Sequence, residues 1–182
     1  MSLAESIPLV QSLSPRDKTQ KINTYSDLYG VEKFPMHSDF AHWQIPPRFL
    51  LLRAPQRSVA VNTSIMPFSE IEKEVGKSRL SKAIFVPRKP VGGKVLPVSI
   101  YDNVRDIFRW DQNFIRPVSH SSRNLVESIL GIVRSFKTFD FHLQNSGDTL
   151  LIDNWKMMHG RGAILPENRN RIIERVYLRK LK

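Results

Sequence analysis

The chain has 182 residues, 41% hydrophobic and 25% charged, and its 28 Lys and Arg against 17 Asp and Glu give a formal charge of +11. Such a composition excludes wholesale disorder, and the length suits one domain with a real core. With no cysteine there is neither a disulfide framework nor a thiolate metal site, so any metal must sit on nitrogen and oxygen. Apolar runs are too short for a membrane span, and the opening residues lack a basic-then-apolar leader, so no membrane partner and a cytoplasmic location are expected. The basic excess draws polyanions and small anions alike. Arginines and lysines crowd the end, from Arg161 through Arg169, Arg171, Arg175 and Arg179 to Lys182. No zinc-finger spacing, aromatic–basic signature or basic heptad accompanies them, which disfavours nucleic acid as the partner.

Residues 1–30 are polar, turn-rich around Ser14-Pro15-Arg16-Asp17 and weakly periodic, and read as an extended arm with one short helix. Phe49 to Ser64 reads as two strands with a turn around Pro55. Ser69-x-x-Glu72 has the form of a capping box and predicts a short helix starting there. Lys82 to Asp102 reads as two strands joined across Gly92-Gly93. Between Ser121 and Phe136 the period changes. Leu125, Val126, Ile129, Leu130, Ile132, Val133 and Phe136 share one helical face, capped by Ser121 or Ser122. Alternation then returns, with Phe139, Phe141 and Leu143 opposite Asp140, His142 and Gln144. Asn145 to Asp148 turns into a strand from Thr149 to Trp155, and a last strand is expected within Arg171–Leu181. Many strands and one good helix imply a mostly β, antiparallel jelly-roll (double-stranded β-helix) with an inserted helical segment, in which residues 1–182 form a single domain.

The chemistry lies in the histidines. On a strand, residues two apart share a face, so His37 and Asp39 converge while His42 points the other way, read as solvent-facing ahead of a contact to a ligand residue or to substrate. Five histidines among 17 acids in 182 residues give about half such a His-x-acid match by chance. A third ligand makes the pair informative. Two histidines and a carboxylate on one face of an ion leave further positions open, as in non-haem Fe(II) oxygenases. His159 is the best candidate, because it follows the strand ending in Asp153-Asn154-Trp155 and precedes Gly160, which permits a tight backbone. His120 and His142 read as capping or surface residues, and Phe40 and Trp43 as core before pocket wall. Asp153 and Asn154 are expected to shape the strand end that orients the ligands.

Three stretches, MHSDFAHWQIPPRFLLLRA from Met36, GDTLLIDNWKMMHGRGAI from Gly147 and RNRIIERVYL from Arg169, together resemble the taurine dioxygenase/clavaminate synthase-like group of Fe(II)- and 2-oxoglutarate-dependent dioxygenases. RWDQNFIRPVS from Arg109 is a looser match. The resemblance implies that His37, Asp39 and His159 hold iron and form the catalytic centre. It implies that Arg171 grips the distal carboxylate of 2-oxoglutarate, with Arg169 as its substitute, and that Arg175 reaches the co-substrate or a substrate anion. A guanidinium fork suits that task through two charge-assisted bonds. The implied activity is O2-dependent hydroxylation, or another oxidation, of a small anionic or amino-acid-like metabolite. The threonine that helps hold 2-oxoglutarate in the group falls here at Ala60, with Thr63 and Ser64 displaced. Only 36 residues precede His37, where the group has a longer stretch, and a homodimer is one way to supply the remainder. The competing reading is a non-catalytic basic jelly-roll that binds an anion or nucleic acid.

Overall fold

Alternation of apolar and polar residues along short strands builds two four-stranded antiparallel sheets. The structure is a computed structural model that describes residues 9–20, 24–59 and 61–181. The first elements are β1 (Gln11–Leu13), α1 (Tyr25–Tyr29), β2 (Phe34–His37), β3 (Phe49–Arg53) and β4 (Asn62–Pro67). A helical insert follows, with α2 (Phe68–Val75) and α3 (Lys77–Lys82). The short strands β5 (Ile84–Pro87), β6 (Val98–Ser99), β7 (Tyr101–Asp102), β8 (Ile107–Phe108) and β9 (Ile115–Pro117) lead to α4 (His120–Ser135). The chain closes with β10 (Phe139–His142), β11 (Thr149–Asp153), β12 (Met157–Arg161) and β13 (Ile173–Leu178).

One sheet runs β1-β13-β3-β11 and the other β10-β4-β12-β2. In the first, Ile152, Leu50 and Tyr177 lie in one row across three strands. That row packs with Leu52 and Leu150 against Ile65 and Met157 of the second sheet, while Leu151, one residue out of phase, is 44% exposed. A larger core joins the second sheet to the insert, where Met66, Met158, Phe68, Phe85, Trp110, Leu125 and Ile129 meet. The expected apolar face of α4 is this contact: Leu125 and Ile129 are buried, and Val126, Leu130, Ile132, Val133 and Phe136 pack around them. Among the described residues no helix is long and apolar enough to cross a membrane.

Local expectations meet mixed outcomes. The hairpin across Gly92-Gly93 forms, with both glycines at positive φ between bridged Val91 and Lys94. The capping box at Ser69 does not form. Helix α2 starts earlier, at Phe68, after Pro67, and no side chain caps it; burial of Phe68 draws Ser69 into the first turn. For α4 the cap is Ser119, not Ser121 or Ser122. Its hydroxyl accepts from the Ser122 amide at 3.1 Å, and the Ser122 hydroxyl accepts from the Ser119 amide at 2.9 Å. The described part of the N-terminal arm is pinned at both ends. Gln11 to Leu13 pair with Arg175 to Ile173, and Thr24 caps the short helix α1. Ala60 lies outside the described residues.

Candidate metal centre

Strand β12 lies between β4 and β2, and its register sets His159 directly opposite His37. His159 is therefore held in mid-strand rather than in a loop after one, and Arg161 ends the same strand. Gly160 is needed there, because a Cβ would sit 2.9 Å from the Phe34 carbonyl oxygen. His37 is the last residue of β2, so strand parity stops at it. Asp39 lies in the turn that follows, and Phe40 takes a left-handed φ of 55°, which costs a bulky residue about 1–2 kcal/mol. The turn is clamped from two sides. The buried Asn154 accepts from the Asp39 amide at 2.8 Å and donates to the carbonyls of Asp39 and Pro47, each at 2.9 Å. Ser38 exchanges bonds with Trp110, amide to carbonyl at 2.8 Å and hydroxyl from amide at 3.0 Å.

These constraints place His37 Nε2 3.4 Å and His159 Nε2 3.8 Å from Asp39 Oδ1. One ligand atom from each residue lies within 4.8 Å of the others, with His37 and His159 buried and Asp39 nearly so; among the described residues this is the one His/Asp/Glu group of that kind. His37 Nδ1 donates to the Pro35 carbonyl at 2.8 Å, which fixes the ring with Nε2 turned toward Asp39. The other Asp39 oxygen is already taken: Oδ2 accepts from the Tyr177 hydroxyl at 2.5 Å and lies 3.6 Å from Arg175. Burial alone would raise the Asp39 pKa. The bond from His37 and the charges of His159 and Arg175 outweigh burial and hold the carboxyl well below the usual range. Burial, then the charge of His37, pushes His159 down to about 3. For His37, burial is outweighed by the bond to Asp39 and its charge, and its pKa rises.

The cluster opens into a cavity of about 390 Å³ lined by Tyr25, Phe40, His42, Thr63, Asp111, Phe114, Arg161, Arg171 and Arg175, among others. Arg171 is buried there with no hydrogen-bond or ion-pair partner among the described residues, and its Nε is sealed and unpaired. Arg175 is engaged, giving bonds of 2.9 and 2.7 Å to Gln11 Oε1. Arg169 is not in the cavity wall; it pairs with Asp17 at 3.0 Å on the surface. Arg161 stacks on Phe34 and donates to the carbonyls of Gly30 and Glu32. Thr63 is buried in the wall and Ser64 is outside it.

Several expectations change here. His42 does not face solvent. The turn at Phe40 swings it into the same cavity as His37, where burial lowers its pKa to about 4. Phe40 is pocket wall, set edge-on to Tyr177, whereas Trp43 packs behind it. Asn154 holds Asp39 by its backbone amide and carbonyl, whereas Asp153 binds Arg48 and the Trp155 amide. Three contributors had no local signal. Tyr25 stacks on His37 at 3.8 Å, Gln11 holds Arg175, and Asp111 accepts from the Tyr25 hydroxyl and two backbone amides. Tyr177 had one, because it shares strand parity with Arg175.

No family model and no curated protein matches the sequence. Solved structures do. An asparagine oxygenase in complex with Fe(II), 2S,3S-3-hydroxyasparagine and succinate matches over 93% of this chain and 56% of its own, with TM-score 0.71 and 16% identity. The non-heme iron oxygenase OrfP with iron and alpha-ketoglutaric acid matches over 96% and 58%, with TM-score 0.67 and 18% identity. OrfP with iron, succinate and (3S)-hydroxy-L-Arg matches over 95% and 57%, with TM-score 0.68 and 19% identity. The chain thus spans 56–58% of the length of these structures. It has the mostly β, antiparallel fold of jelly-roll-type non-heme iron oxygenases, as the resemblance to the taurine dioxygenase/clavaminate synthase-like group implies.

Proposed function

We propose that the chain is an Fe(II)- and 2-oxoglutarate-dependent oxygenase that hydroxylates a small, amino-acid-like substrate. The observation that carries this reading is Arg171: a buried guanidinium with no partner among the described residues, sharing one cavity with a His/Asp/His cluster. A buried cation without a counter-charge is costly, and a dicarboxylate whose other end reaches the cluster relieves it. The donor set also fits a ferrous ion, with two imidazole nitrogens and one carboxylate oxygen crowded on one side. Bound iron with 2-oxoglutarate supplies the oxidation, consuming O2, releasing succinate and CO2 and adding a hydroxyl to the substrate.

The chain's own residues set the geometry. Tyr177 and Arg175 occupy Asp39 Oδ2, so Asp39 offers a single oxygen to the metal. Pro35 fixes the His37 ring, and Tyr25 covers one face of it. Arg171 holds the far carboxylate of the co-substrate, with the Thr63 hydroxyl in the same wall. Asp111 and Arg175 give the wall one anion and one cation, the pair a zwitterion needs. The 3-hydroxyasparagine and hydroxy-L-Arg in complex with the matched structures support that substrate class.

Anaerobic addition of Fe(II) and 2-oxoglutarate should produce a visible charge-transfer band, absent in His37→Ala. Aerobic succinate release should follow when a substrate is present. Folded wild-type protein that shows no band under oxygen-free loading overturns the reading.

A further inference from the structure

His42 is the histidine that the metal cluster does not use. Its ring lies in the cavity wall among aromatic side chains, 5.6 Å from Phe114, 6.1 Å from Phe40 and 6.4 Å, edge-on, from Trp43. It makes no hydrogen bond to any described residue, and its Nδ1 is sealed from solvent and unpaired. The other ring nitrogen, Nε2, is the only polar atom left to meet a ligand. Nothing in this wall rewards a histidine for folding, since a phenylalanine would fill the same aromatic nest without an unpaired polar atom.

Nearby charges are already assigned. Asp39 is bound by Tyr177 and Arg175, and Asp111 by Tyr25 and the amides of Asn113 and Phe114. The ring is held uncharged by burial, so it does not attract a carboxylate by charge. Anionic groups go to Arg171 or Arg175, and a cationic group goes to Asp111, whose Oδ2 has no donor among the described residues. What a neutral imidazole adds is one directed hydrogen bond, as donor or acceptor according to tautomer.

We propose that His42 is a specificity-determining residue whose Nε2 bonds an uncharged polar group, a hydroxyl or primary amide, on the side chain of the substrate. This rests on the oxygenase reading for the identity of the site. A wall that spends a buried polar atom on one substrate group discriminates against analogues lacking that group, because the atom is then left unpaired.

The test is isothermal titration of the full chain with near-isosteric pairs: threonine and valine, asparagine and leucine, glutamine and methionine. Each pair is run on metal-free protein and on protein loaded anaerobically with Fe(II) and 2-oxoglutarate. The expected result is that the polar member of at least one pair binds wild type about 10–100-fold more tightly. His42→Phe should lose that preference and melt no lower than wild type, and His42→Gln should keep part of it. His42→Leu stands in if the phenylalanine variant does not fold. No preference in wild type, including no binding at all, overturns the proposal, and so does a preference that survives in His42→Phe. The charge-transfer band is read on the same wild-type samples. A missing band with the His42-dependent preference intact overturns the oxygenase reading alone, and a band without the preference overturns the role of His42 alone.

Discussion

The polar groups lining the cavity fall into two sets that are bonded in opposite ways. Around Asp39 nearly every polar atom has a partner. Both backbone groups of Asp39 are held by Asn154, Oδ2 is held by Tyr177 and Arg175, and His37 Nδ1 is held by Pro35. His159 Nδ1 is the exception, sealed and unpaired. Elsewhere in the same lining, the side chains of Arg171 and His42 are buried in whole or part with no partner among the described residues. An unpaired buried polar group costs about 1–3 kcal/mol, more when charged. A wall that carries two of them is destabilising as protein and becomes sensible only as a surface for ligands. The paired wall positions, and the unpaired wall receives.

That contrast is tested most severely at Arg171. Removing it should weaken 2-oxoglutarate binding by roughly 10²–10³-fold, taking two charge-assisted bonds at about 1.5–2 kcal/mol each. Titrating the charge-transfer band with 2-oxoglutarate measures this. The same Arg171→Ala protein should show a urea midpoint no lower than wild type, because no partner in the protein is lost. A large drop in stability, or co-substrate affinity within tenfold of wild type, would place Arg171 in the positioning wall instead.

Asp111 belongs to both categories. Three donors share its Oδ1, yet burial still pushes its pKa up to about 6. An unfolded aspartate titrates near 3.9. Between those values the folded chain binds the proton more tightly than the unfolded chain, so stability falls as pH rises. The contribution is complete below about pH 4 and lost as pH rises through about 6. A shift of about two units corresponds to roughly 3 kcal/mol. Asn at 111 keeps an acceptor for the three donors and buries no charge. The stability difference between Asp111→Asn and wild type should therefore move by about 2–3 kcal/mol in the variant's favour from pH 4 to pH 7, in urea titrations. A difference independent of pH would show that Asp111 is solvated as an ordinary carboxylate.

Which parts of this were legible in the sequence follows from how far each constraint reaches. His37, Asp39, His159 and Arg171 stood out because residue type and motif spacing act together, and the structure does gather the first three. The parity argument reached that pair by an imperfect route, since the strand ends at His37 and a left-handed Phe40 takes over. The same break brings His42 into the cavity, where parity had sent it outward. Gln11, Tyr25 and Asp111 meet the site only through tertiary packing, with Tyr25 and Asp111 separated by 86 residues of sequence and Gln11 and Arg175 by 164. Helix α4 was legible because seven apolar positions repeat on one face. Its cap was not, since three serines and a histidine follow Val118 and local preference does not choose among them.

Arg169 provides the smallest expected effect and a sharp control. It stood beside Arg171 as the alternative anchor, with the same chemistry and the same strand parity. The fold separates them: Arg169 turns to Asp17 in an exposed ion pair, and Arg171 turns into the cavity. Exposed pairs contribute about 0–1 kcal/mol, because both ions stay hydrated and lose side-chain freedom on pairing. Arg169→Ala should therefore change stability by less than about 1 kcal/mol and 2-oxoglutarate affinity by less than about twofold. If its loss weakened co-substrate binding as much as loss of Arg171, the grip would not be a property of the unpaired wall. The general positive field of the chain would then be sufficient, and high salt should abolish the difference between the two variants.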